Sequence, residues 1–229
     1  MTRALIALLP IVALGAAPAL AQDLPVANWA GPYLGAQLGY GFANTSSVTT
    51  NLVQTFPVPF DYGSNDVLGG VHAGYNFQFG HFVVGAEGDV EASAISGQQP
   101  VNLYGVIYTS QTTNDFDASV RARAGVAFDR LLLYGTGGVA WGRVKIAYSC
   151  NLCVAAAAAT STLDDVRMGW TAGFGAEYSL TRNVSLNFEY RYTDFDYERL
   201  IDTFEVADYH DNHVTLNALR LGMSYHFLP

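Results

Sequence analysis

Between residues 32 and 227 the chain alternates with period two in eight segments: 32–42, 67–79, 82–92, 116–128, 131–144, 166–178, 184–194 and 214–227. That period belongs to a strand, whose successive side chains point to opposite faces, and not to a helix, which repeats every 3.6 residues. Each segment matches or slightly exceeds the 9–11 residues that a tilted strand needs to cross a bilayer. The connections alternate in length. Gly80-His81, Asp129-Arg130 and Ser179 to Asn183 make short turns, whereas the other connections run to about twenty residues. Short turns at one end and long loops at the other are the pattern of a transmembrane β-barrel, with the long loops outside the cell.

An eight-stranded barrel in water would carry its apolar residues inward, so the composition of the two faces has to decide between solvents. One face reads Leu34, Leu38, Val71, Tyr75, Val84, Val120, Ala122, Val139, Ala172, Phe188, Leu221 and Met223, with similar residues between them and none charged. The other is rich in glycine and carries Glu87, Asp89, Glu91, Asp117, Glu177 and Glu189 with Arg121, Arg123, Arg167, Arg191 and Arg220. A water-facing surface of this size would be expected to show lysine, yet Lys145 is the one lysine in the chain. Small residues and a nearly neutral set of acids and arginines suit instead the crowded interior of a small barrel, where charges must satisfy one another. The apolar face then meets lipid, with aromatics such as Tyr40, Phe42, Phe77, Phe82, Phe128 and Tyr178 near segment ends as interface girdles. The expected fold is all-β: an eight-stranded antiparallel transmembrane β-barrel with short periplasmic turns and four long extracellular loops.

Residues 1–21 carry Arg3, an apolar stretch and a closing Ala19-Leu20-Ala21, which together read as a secretory signal peptide. Residues 22–30 are then a short periplasmic segment and 31–229 the barrel domain. A net charge of −9 argues against nucleic acid, which demands a basic face. Beyond the leader, no apolar run of about 20 residues offers a spanning helix.

WAGPYLGAQLGYGF at 29–42 resembles the first strand of the small outer-membrane proteins of alphaproteobacteria, relatives of the OmpA transmembrane barrel often grouped as a "porin family". GGVHAGYNFQFGHFVVGAEGDVE at 69–91, ASVRARAGVAFDRLLLYGTGGVAWG at 118–142 and GWTAGFGAEYSLTRNVSLNFEYRYTDF at 169–195 are similar to later hairpins of that family. The resemblance covers essentially the whole chain after the leader and implies a cell outer membrane location. It also implies recognition of a C-terminal aromatic strand by the barrel-assembly machinery. Here Phe227 is followed by Leu228-Pro229, a departure from that ending.

Cys150 and Cys153 lie in the third long loop, where an oxidising compartment favours a disulfide. The redox, haem-attachment and zinc readings of this spacing each lack their required context or partners. The fourth loop is acidic, and within it Asp208, His210, Asp211 and His213 are candidate contacts for a cation or haem. No nucleophile motif of the GxSxG type occurs, and the expectation is a protein that is no enzyme and needs no cofactor. The expected function is a structural, surface-exposed outer-membrane barrel contributing to envelope integrity. Its partners are outer-membrane lipid and lipopolysaccharide, and it interacts outward through its loops. A narrow channel and a haem- or cation-binding surface protein are the alternatives, with an envelope enzyme behind them; whether the chain forms homo-oligomers stays open.

Overall fold

The computed structural model describes residues 27–51, 58–103, 106–150, 159–202 and 208–227. The leader at 1–21, residues 22–26, Cys153, the Cys150 side chain and Leu228-Pro229 lie outside the described residues, and with them the disulfide and leader expectations.

Nine strands make one sheet: β1 (Gly31–Asn51), β2 (Val58–Phe79), β3 (Phe82–Ser93), β4 (Ser96–Leu103), β5 (Val106–Phe128), β6 (Leu131–Cys150), β7 (Ala159–Ser179), β8 (Val184–Asp202) and β9 (Asp208–His226). Every pairing is antiparallel, and β1 pairs with β9 from Tyr33↔His226 to Asn51↔Asp208, which closes the sheet. β3 and β4 are two lengths of a single stave, since both pair with β5, from Phe82↔Val126 and from Ser96↔Thr113 respectively. The nine strands therefore form a closed eight-stranded barrel, which leaves the turn-side half of the wall without an unpaired edge.

Its outer surface is apolar. Leu34, Leu38, Val71, Val120, Phe174, Phe188, Leu221 and Met223 are all exposed, Leu38 to 74%. Charges mark the limits of this band. Arg143 and Asp194 continue the outward parity at the loop end, while Asp129, Arg130 and Arg182 stand at the turn end.

The strands run well past the eight periodic segments. β5, with 23 residues, is ~76 Å long at ~3.3 Å per residue, whereas a lipid-facing band is only about 25 Å tall. Much of what reads as long loops is thus strand: β1 continues to Asn51, β2 begins at Val58, and β8 continues to Asp202. The period fades there because the sequence is polar at both parities, as Asn44 to Asn51 of β1 read, so no alternation marks the register that the pairing holds. Among the described residues the ladder between β2 and β3 stops near Leu68↔Ser93, and that between β7 and β8 at Gly169↔Phe195. Within the one sheet, the described loop-side pairings therefore run β2-β1-β9-β8 and β4-β5-β6-β7.

The three short turns fall where expected, after Phe79, Phe128 and Ser179. Two of them need a positive φ. Gly80 supplies one at +62°, and Asp129 supplies the other at +50°, a conformation that the short polar side chain of Asp tolerates.

Candidate functional site

The lumen holds the chemistry. All eleven charged residues read as inward-facing are buried: Glu87, Asp89, Glu91, Asp117, Arg121, Arg123, Arg167, Glu177, Glu189, Arg191 and Arg220. Strand parity puts them on one face of each strand, and barrel curvature brings those faces within reach of each other. Cross-strand register makes only part of the network; Glu87 stands opposite Arg121 on β3 and β5 and pairs with it. Other bonds cross the lumen, among them Arg121 to Glu189, Arg123 to Glu177, Arg191 to Asp89 and Arg220 to Glu91.

Arg121 is the hub. Its guanidinium contacts Glu87, Asp89 at 2.8 Å and Glu189 at 2.7 Å, so β5 is tied to β3 on one side and to β8 on the other. Arg123 pairs with Glu177 on β7, donates to the Tyr33 hydroxyl at 3.2 Å, and lies with its Cζ 3.8 Å from the Tyr134 ring centroid. Arg191 bridges Glu189 at 2.8 Å and Asp89 at 3.0 Å. Arg220 grips Glu91 with two bonds, Nε to Oε1 at 2.9 Å and Nη2 to Oε2 at 2.7 Å. Such two-point pairing is the geometry in which arginine and a carboxylate interact most strongly.

Neutral groups complete the set. The Tyr33 hydroxyl donates to Glu87 at 2.7 Å, Gln37 Nε2 to Glu91 at 2.7 Å, and Ser119 to Asp89 at 2.8 Å. Asn114, beside a bulge in β5, donates to both oxygens of Asp117. Glu177 also accepts from Ser185 and lies 3.1 Å from His226 Nε2. Glycines make this crowding feasible: a Cβ at Gly35 would sit 2.3 Å from His72 Nε2, and one at Gly74 2.4 Å from the Tyr33 hydroxyl.

Apolar layers close the network at both ends. On the turn side, Trp29, Val83, Ala127, Leu132 and Tyr134 form one cluster. Trp29 arrives from the segment before β1, which sequence reading places in the periplasm. Residues 27–30 cross the turn-side mouth: Ala27 N donates to Asp129 O at 3.0 Å, Trp29 N to Gln78 Oε1 at 2.7 Å, and the Trp29 ring meets His226 edge-on at 5.6 Å. On the loop side, Ala43, Leu68, Ile95, Ala140, Phe195, Val214, Leu216 and Ala218 form the second layer. Between this layer and the ion network the void beside Asp117, Arg191 and Phe195 is about 10 Å³, the room of roughly one water.

Tyr33, Tyr134, Leu132, Trp29 and Phe195 escaped sequence reading. Tyr33 and Tyr134 lie two residues before Gly35 and Thr136, so parity alone assigns them inward. Of the candidate loop contacts, Asp208, His210 and Asp211 belong to β9, with side chains outside the described residues. His213 is half-buried, and its Nε2 lies 2.7 Å from Asp194 Oδ1. Tyr192 donates to the other Asp194 oxygen at 3.1 Å. Among the described residues no three ligating side chains gather as a metal site would require.

A model of the outer membrane protein beta-barrel domain matches residues 6–227. The 31 kDa outer-membrane immunogenic protein of Brucella melitensis is 35% identical over 206 residues, covering 87% of this chain and 84% of the relative. The 22 kDa outer membrane protein of Rhizobium leguminosarum is 31% identical over 215 residues, covering 90% and 83%. Among solved structures, the outer membrane protein OprG of Pseudomonas aeruginosa aligns with a TM-score of 0.58 at 14% identity, over 89% of this chain and 99% of that one; this likeness concerns the fold. The names of these relatives record a location or immunogenicity, and none records a reaction.

Proposed function

The chain belongs to the outer membrane protein β-barrel family and lies in the outer membrane, and from that premise we propose that it is a closed, non-conducting barrel contributing to envelope integrity. In this reading lipid and lipopolysaccharide surround it, the barrel-assembly machinery inserts it through β9, and its long strand pairs carry outward interactions. It performs no catalysis and needs no cofactor.

The observation that supports this reading is the filling of the lumen. An apolar layer, an ion network and a second apolar layer follow one another along the axis, with room for about one water between the last two. Open aqueous pores are built from about sixteen strands, whereas eight leave an interior that side chains fill. The cross-bracing of β3 and β5 to β7, β8 and β9 makes the barrel a stiff post for whatever its loop side presents.

Planar-bilayer recording tests this. The purified barrel should insert without giving steady ion conductance. Stable channels of general-porin size would sink the proposal and favour the channel reading. In cells, deletion of the chain should raise detergent sensitivity, and the wild-type chain should restore resistance.

A further inference from the structure

We propose that the turn-side rim carries a binding site for the phosphate of an anionic phospholipid of the periplasmic leaflet, made by Arg130 and Arg182. The inference requires only that the barrel lies in the outer membrane, and it holds whether or not the barrel conducts.

The site sits where the β5–β6 and β7–β8 turns meet. Ser179 N donates to Arg130 O at 2.9 Å, which joins the two turns. The Arg130 guanidinium lies 5.5 Å over the Tyr178 ring, and its Nη2 donates to Leu180 O at 2.9 Å. That bond uses one of the five N–H donors of a guanidinium, and the ring and carbonyl together hold the group at the edge of the lipid face. Arg182 follows two residues after Leu180 in the same turn and is exposed.

Around the two arginines the wall is apolar and outward-facing: Phe128 is 54% exposed, Tyr178 45% and Leu180 42%. Acyl chains can therefore lie against Phe128, Tyr178 and Leu180 while the headgroup stands level with the guanidiniums. Charge selects the sign of that headgroup. At the rim the described charged side chains are Arg130, Arg182 and Asp129, with His81 at the neighbouring turn. The two arginines outweigh the one carboxylate. The loop-side rim is the reverse, with Asp61, Asp115 and Asp194 outward against Arg143 and Lys145. A cation near an anionic lipid surface strengthens association by about fivefold, and an arginine adds two-point recognition of phosphate oxygens.

The test is native mass spectrometry of the full barrel in detergent, titrated with phosphatidylglycerol or with phosphatidylcholine. Wild type should retain one phosphatidylglycerol more tightly than phosphatidylcholine. Arg182→Ala, at an exposed position without a described structural contact to lose, should weaken that binding about fivefold. Arg130→Ala should do the same, and the double variant should bind the two lipids equally. Arg143→Ala at the opposite rim should leave the preference intact, and Asp129→Asn should sharpen it. Heat-dependent electrophoretic mobility verifies that each variant is folded. Equal binding of both lipids by wild type overturns the proposal. So does a preference that survives in the double variant, or one that Arg143→Ala weakens as much as Arg182→Ala does.

Discussion

Arg121→Met is expected to destabilise the folded barrel by about 3–5 kcal/mol. Arg121 is 1% exposed and joins three carboxylates from two strands, Glu87, Asp89 and Glu189. Its removal leaves acids buried with less than their compensating charge. Asp89 and Glu189 keep Arg191, and Glu87 keeps Arg123 at 3.6 Å together with the Tyr33 hydroxyl. The loss of a partner in a dry interior costs more than a surface ion pair contributes, because the stranded charge has no water to turn to. Urea unfolding of vesicle-refolded protein reads the difference. Adding Glu87→Gln to Arg121→Met should recover part of the loss, since it deletes a stranded charge. A single-variant loss below about 1 kcal/mol, the range of exposed pairs, would mean that water fills the network.

Val120→Arg is expected to cost about 2–4 kcal/mol, the range for a cation placed on the lipid face near the bilayer midplane. Val120 is 55% exposed, and in water such an exposure would make the substitution almost free. Ser119, one residue away, is buried and donates to Asp89. Ser119→Ala should cost only about 1 kcal/mol, because Asp89 keeps its two arginines. The same refolding titration measures both. Equal losses, or a neutral Val120→Arg, would mean that the apolar face does not meet lipid.

A strand dictates locally which face a side chain takes, and closure of the barrel decides which partners it meets there. Period two assigned Glu87, Asp89 and Glu91 to one face without knowledge of any partner, because a pleated strand turns every second side chain to the same side. The turns at Gly80 and Asp129 were legible for a similarly local reason. Trp29 was not, since it precedes the first strand and its partners lie on β2, β3, β5, β6 and β9, far along the chain. Phe195, Val214 and Leu216 were missed because the apolar layer they build lies inside the wall at the loop end, where an apolar residue on the inward parity runs against the pattern of the middle. The loop-side strand lengths escaped because polar residues on both faces erase the alternation by which a strand is recognised.

The sequence by itself determined that the chain is an antiparallel barrel with a lipid-facing wall and a charged lumen. Those properties follow from side-chain parity, connection length and the near absence of lysine, each of which is written along a single strand or turn. Only the tertiary structure decided the pairing: Arg123 with Glu177, Arg220 with Glu91, and Arg121 with acids on both sides of it. Glu189 stands opposite Arg220 in the β8–β9 register, yet Arg220 turns across the lumen to hold Glu91 with two bonds. Register names neighbours along the wall, whereas the choice among several carboxylates depends on distances across the lumen. Those distances exist only once β1 and β9 have joined.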